Sequence, residues 1–162
     1  MKKFLLLILI VSFNISSAEQ AITQWVYNTL ERAQANLDKG NLEAAERIYY
    51  DYANDTWSSR SYDHFVILRT YAYFLISYDR NEEALKYLRQ ASLKRDMPPY
   101  DIFELNFTLG QVYYVNGDRE NAKKTLLKWV AIGEKNDLDL KPEGYAILAT
   151  IYAQDEELSL IH

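Results

Sequence analysis

The chain has 162 residues, 49% hydrophobic and 25% charged, with five Gly, three Pro and no Cys, a balance that excludes collagen-like, disordered and disulfide-stapled architectures. A chain of this length buries roughly two thirds of its unfolded surface, so its core needs no metal, cofactor or cross-link. The formal charge of -5 opposes the clustered Lys and Arg that a grip on phosphates requires, so nucleic acid is not an expected partner.

Residues 1–18 read as a secretory signal peptide. Lys2 and Lys3 precede an apolar run over residues 4–11, and Ser16 and Ala18 supply the small residues of a cleavage site before Glu19. The alternative is a membrane anchor that is retained, and the run is about half of the ~20 residues a bilayer core requires. No cysteine is present to carry a lipid. Export without cysteine suits a bacterial periplasm or another secreted location, with residues 19–162 as the exported domain.

From there the chain repeats itself. Gly40-Asn41-Leu42-Glu43-Ala44-Ala45, Asp79-Arg80-Asn81-Glu82-Glu83-Ala84 and Gly117-Asp118-Arg119-Glu120-Asn121-Ala122 each combine a turn with a helix start. Twelve residues before each final alanine stands another small residue, Ala33, Ala72 and Gly110, and Ala149 continues the series at spacings of 39, 38 and 39. The units span about 21–54, 63–95 and 99–133, with an incomplete fourth at 142–162.

Within each unit the apolar residues recur at three- and four-residue steps. Leu68, Tyr71, Ala72 and Leu75 are followed by Ala84, Leu88 and Ala91; Leu109, Gly110 and Tyr113 by Ala122, Leu126 and Trp129; the fourth unit supplies Tyr145, Leu148, Ala149 and Tyr152. Two amphipathic helices per unit are expected, the small residues letting their backbones approach. Gly40 and Gly117 suit left-handed helix ends, Asn41 and Asp118 suit caps, and the prolines at 98, 99 and 142 suit first turns. Longer connections are expected over residues 53–63 and 133–141. Asn54-Asp55-Thr56 and Asn106-Phe107-Thr108 match a glycosylation acceptor by chance composition.

This pattern resembles the tetratricopeptide repeat, most closely in the third unit through Phe107, Leu109, Gly110, Tyr113, Tyr114, Gly117, Asp118 and Ala122. The resemblance covers roughly residues 21–154 and implies an all-α, right-handed α-solenoid of about three and a half helix-turn-helix repeats. Its period is longer than the family's usual ~34. In the first unit Arg32 and Asn36 replace the family's leucine and tyrosine, so Trp25, Leu30 and Leu37 are expected to supply the contacts. Residues 106–113, 124–129 and 145–152 further resemble exported repeat proteins that accompany TonB energy-transduction systems.

Little points to catalysis, and no catalytic, cofactor-binding or metal-ligating residue is assigned. His64 and His162 lack a ligand partner at helical spacing and read as surface residues. Paired carboxylates such as Glu82-Glu83 complement a helix start, and Ser58 and Ser59 lie in a loop without a base nearby.

What the resemblance implies instead is a non-enzymatic scaffold that holds a protein or peptide partner in its concave groove, plausible as an accessory of a TonB-type or other envelope complex. The family's groove positions fall on Leu30, Gln34, Arg69, Tyr73, Phe107, Gln111, Tyr114 and Thr150. Its carboxylate clamp is not reproduced, because Leu30, Thr70, Glu104 and Thr108 stand at the clamp positions. The second reading is a self-assembling fragment of a longer repeat protein, associating through Leu158, Leu160 and Ile161 near the C-terminal end. Of the 14 tyrosines, Tyr71, Tyr113, Tyr145, Tyr152, Tyr49 and Tyr52 are assigned to packing, and Tyr73 and Tyr114 to recognition.

Overall fold

The computed structural model describes residues 21–55 and 61–161, with side chains as far as Glu156. The expected signal peptide, its cleavage site, Ser58, Ser59, His162 and the side chains of Leu158, Leu160 and Ile161 lie outside the described residues. Helices α1 (Gln24–Asp38), α2 (Leu42–Asn54), α3 (Ser61–Ser77), α4 (Asn81–Ser92), α5 (Pro99–Val115), α6 (Arg119–Asn136) and α7 (Pro142–Ile161) follow in order. No strand occurs among the described residues.

Helices α1 and α2, α3 and α4, and α5 and α6 pack as pairs, and each second helix also packs on the first helix of the next pair. The first helices touch along one side, α1 with α3 and α5 with α7. Among the described residues the chain forms an α-solenoid of three helix-turn-helix pairs followed by α7.

One turn design serves all three pairs. The N–H groups of Asn41, Arg80 and Asp118 each donate to the carbonyl five residues earlier, on Asn36, Leu75 and Tyr113. That bond requires a left-handed residue just before it, supplied by Gly40 (φ 73°), Asp79 (φ 59°) and Gly117 (φ 79°). Asp118 caps α6 by accepting from the Asn121 N–H at 3.1 Å. Asn41, expected to cap α2, makes no such side-chain bond.

The small residues do what their spacing predicts in the paired units. Ala33, Ala45, Ala72, Ala84 and Ala122 are fully buried. A Cβ at Gly110 would stand 2.6 Å from Leu126 Cγ, so this glycine is required by close approach. Two apolar clusters meet at α5: Leu105, Leu109, Val112 and Tyr113 belong to the one reaching back to α1, while Phe103 and Phe107 join Leu126, Trp129 and Leu148 in the other.

Three expectations are corrected. The connection expected from residue 133 begins later, because α6 continues to Asn136 and turns at left-handed Asp137; Gly133 is a contact glycine, with Leu140 and Phe103 crowding the place of a side chain. Tyr145 and Tyr152, expected to pack between helices, are 44% and 45% exposed, and Ala149 is exposed with them. No second helix pairs with α7 among the described residues, so the two rings are covered only along the edge facing α6, where Trp129 lies 5.9 Å from Tyr145 and the Lys123 ammonium 4.2 Å over Tyr152. His64, expected at the surface, is half-buried, its Nε2 3.1 Å from the Ala53 carbonyl and its Nδ1 2.9 Å from Lys94 Nζ. The other packing tyrosines behave as expected: Tyr49, Tyr71 and Tyr113 are buried, and half-buried Tyr52 lies 4.7 Å from the Trp25 ring.

Candidate partner-binding face

Seven of the eight groove candidates fall in two rows defined by the repeat, and Tyr114, four residues after Gly110, stands outside both. One row lies three residues before each small residue: Leu30, Arg69 and Phe107. The other lies one residue after it: Gln34, Tyr73, Gln111 and Thr150.

The first row is engaged internally. Leu30 packs half-buried on the core. Arg69 donates from Nη1 to Asp101 Oδ1 while its guanidinium lies 5.0 Å above the Phe65 ring. Phe107 is buried 5.1 Å from the Trp129 ring, and the Lys141 ammonium covers it at 4.6 Å. Its expected groove position is therefore a packed one, because α7 and the segment before it close over the ring.

The second row stays accessible. Gln34 is exposed and donates to Asp38 one turn on, at 2.8 Å. Gln111 is half-buried, and exposed Thr150 returns its hydroxyl proton to the Ala146 carbonyl. Tyr73 is half-buried, and its phenol oxygen accepts from Thr108 Oγ1 at 3.5 Å. Burial pushes the Tyr73 phenol pKa up, against the opposing pull of Arg69, so at neutral pH it keeps a proton to donate. Tyr114 packs half-buried on the core with one edge outward. Gln34, Tyr73, Gln111 and Thr150 thus recur once per unit along the side formed by the first helices.

Sequence reasoning missed the polar ties beneath this face. Asp63 (4% exposed) accepts from the Thr23 N–H at 3.0 Å and the Thr23 hydroxyl at 2.9 Å. Asp101 (8% exposed) accepts from Arg69 and, at 2.9 Å, from the Tyr62 hydroxyl. Lys141 donates to Glu104 at 2.8 Å. Each tie joins the first helix of one unit to the start of the first helix of its neighbour. The signal was present: Asp63 and Asp101 both lie nine residues before the small residue of their unit.

His64 adds a pH dependence. Burial is the main cause lowering its pKa from 6.5, and the nearby Lys94 ammonium acts in the same direction, against the Ala53 carbonyl and Asp55. A histidine folded in its neutral form binds fewer protons than in the unfolded chain. Its contribution to stability is therefore fully present above pH ~6.5 and is lost as pH falls through its lowered folded pKa. Thermal melting between pH 7.5 and 5 should show this loss, and His64→Gln should flatten that part of the profile; an unchanged slope in the variant would rule His64 out as its source.

Among the described residues no group of three or more His, Asp or Glu side chains is placed to hold a metal ion, and no helix is long and apolar enough to cross a membrane. No protein-family model matches the chain. Among curated proteins it is similar to Pre-mRNA-splicing factor 6 of Saccharomyces cerevisiae, 29% identical over 118 residues, which are 66% of this chain and 11% of that protein. The chain thus spans only a small part of this relative. The relative is a helical-repeat protein, in agreement with the helical-repeat architecture described above.

Proposed function

We propose that the protein is a non-enzymatic interaction scaffold that holds an extended segment of a partner protein along the row Gln34, Tyr73, Gln111 and Thr150. The observation that carries this reading is the register of the row. One side chain per unit, at one repeat position, offers amide, phenol or hydroxyl groups along a single side, which suits a chain running across the units. The non-enzymatic part is supported by how these titratable groups are engaged within the fold. Arg69 is tied to Asp101, Lys141 to Glu104, and His64 to Ala53 and Lys94.

The proposal extends to export into a periplasm after cleavage before Glu19 and to membership of a TonB-type or other envelope complex. The signal-like layout of residues 1–18 and the resemblance of residues 106–113, 124–129 and 145–152 support it. A part in pre-mRNA splicing, the process in the relative's name, is not carried over. The shared stretch is 11% of that protein, and a signal-like start with net negative charge favours export.

A photo-crosslinking residue tests the row directly. Placed at Gln111, it should capture the partner, whereas the same residue at Lys86, exposed on a second helix, should not. Tyr73→Ala should reduce capture at Gln111 about tenfold with helicity unchanged. Capture as efficient from Lys86, or undiminished by Tyr73→Ala, would sink the assignment. The second reading, self-assembly, is favoured by a different observation, the exposed tyrosines of α7.

A further inference from the structure

In the three paired units the small residue of the first helix is buried against a second helix. In α7 its counterpart Ala149 is exposed, together with Tyr145, Ala146, Tyr152 and Ala153. At 100° per residue these five fall within one stripe about 120° wide, centred on Ala149, which exposed Pro142 and Glu156, seven residues before and after it, close at its two ends. The stripe lies beside the buried flank of α7, which carries Gly144, Leu148 and Ile151, and is bounded on its other side by Glu143, Thr150 and Gln154. Alongside it, Lys123 of α6 stands 4.2 Å over the Tyr152 ring, and Leu127, one turn further on α6, is exposed.

The arrangement of the stripe selects its occupant. Counted from Ala149, tyrosines stand four residues before and three after, and alanines three before and four after, so the face reads nearly the same in both directions. An antiparallel copy of α7 crossing at Ala149 brings Ala149 against its own counterpart. It sets Tyr152 beside Tyr145 of the second copy, twice over, and aligns Ala146 and Ala153 with each other along the opposite edge. A face of this kind is complementary to itself under a twofold axis, the usual symmetry of a homodimer. The alanines permit close approach of the helices and the tyrosine pairs supply ring contacts.

We propose that α7 is a self-association site that pairs two copies of this chain antiparallel about Ala149. Two tyrosines, three alanines and the adjoining Leu127 amount to a patch of a few hundred Å², below the ~800 Å² per partner of a stable interface. The dimer is therefore weak and concentration-dependent, with a midpoint on the order of tens of micromolar.

Sedimentation velocity of the purified full-length chain should show its mass rising toward two copies between about 1 and 500 μM. Ala149→Glu places two carboxylates at the crossing point and should keep the chain monomeric throughout, weakening association at least ~30-fold. Because Ala149 is exposed, helical circular dichroism should be unchanged. The chain has no cysteine of its own, so Ala149→Cys provides an independent readout. Mild oxidation should link pairs and stop at two copies, while Ala35→Cys, exposed on α1, should link far more slowly. A wild-type chain that stays monomeric, dimers that persist in Ala149→Glu, or equal linking through the two cysteines would each overturn the proposal. Capture of an unrelated helix on this face, with no second copy, would overturn it too.

Discussion

Trp129→Ala is expected to lower unfolding free energy by about 3–5 kcal/mol, the range for emptying a fully buried aromatic site. The indole is wholly buried between α5 and α7, with Phe103, Phe107 and Tyr145 rings at 5.5, 5.1 and 5.9 Å. It is the largest side chain in the cluster that seats α7. Its N–H meets no acceptor among the described residues. Trp129→Phe, which sheds that donor while keeping a ring, should therefore cost only about 1 kcal/mol. Gly144→Ala attacks the same contact from the other side. Its Cβ would stand 2.3 Å from Trp129 Cζ3, and overpacking a closed core costs about 1–3 kcal/mol, more than the ~0.5–1 that alanine contributes in a helix. Urea unfolding followed by circular dichroism measures all three; a loss below 1 kcal/mol for Trp129→Ala would mean that α7 is seated by other contacts.

The second large effect belongs to the tie between the second and third units. Asp101→Ala is expected to cost about 2–4 kcal/mol, because it strands the largely buried Arg69 guanidinium and removes the acceptor of the Tyr62 hydroxyl. Arg69→Met together with Asp101→Leu leaves no unpaired charge and replaces the pair with apolar bulk. The double variant should be more stable than Asp101→Ala by at least ~1 kcal/mol, a reversal that deleting two independent contacts would not produce. Tyr62→Phe isolates the remaining hydrogen bond at about 1 kcal/mol. If the double variant proved as unstable as Asp101→Ala, the tie would be acting through its shape rather than its charge.

The repeat was legible because its signals are short-range and periodic. Small residues at one register, a left-handed turn residue and helical apolar spacing are local necessities, and α1 to α6 follow from them. What failed was whatever depended on a neighbour that the period implies. Ala149, Tyr145 and Tyr152 carry the packing pattern of a first helix, yet a pattern says only which side would be covered. Gly133 looked like punctuation for a related reason: a glycine needed for Leu140 and Phe103 to approach carries the same letter as one that ends a helix. The binding face was half legible. Register located both rows, but the engagement of Arg69 and the burial of Phe107 depend on Asp101 and Lys141, which lie more than thirty residues further along the chain.

The ties Thr23–Asp63, Tyr62/Arg69–Asp101 and Glu104–Lys141 all join neighbouring first helices on the same side of the stack. On the other side, Arg80 at the start of α4 reaches Glu46 of α2 at 2.6 Å and Asn54 of α2 donates to the Tyr87 hydroxyl of α4 at 3.3 Å, so the first junction is tied along both sides while the ties along the first helices continue to the start of α7. Opening the stack on the side of the first helices would break a charge-assisted bond at each junction. The stack in this respect resists being opened along its first helices at every junction, and at its first junction along its second helices as well.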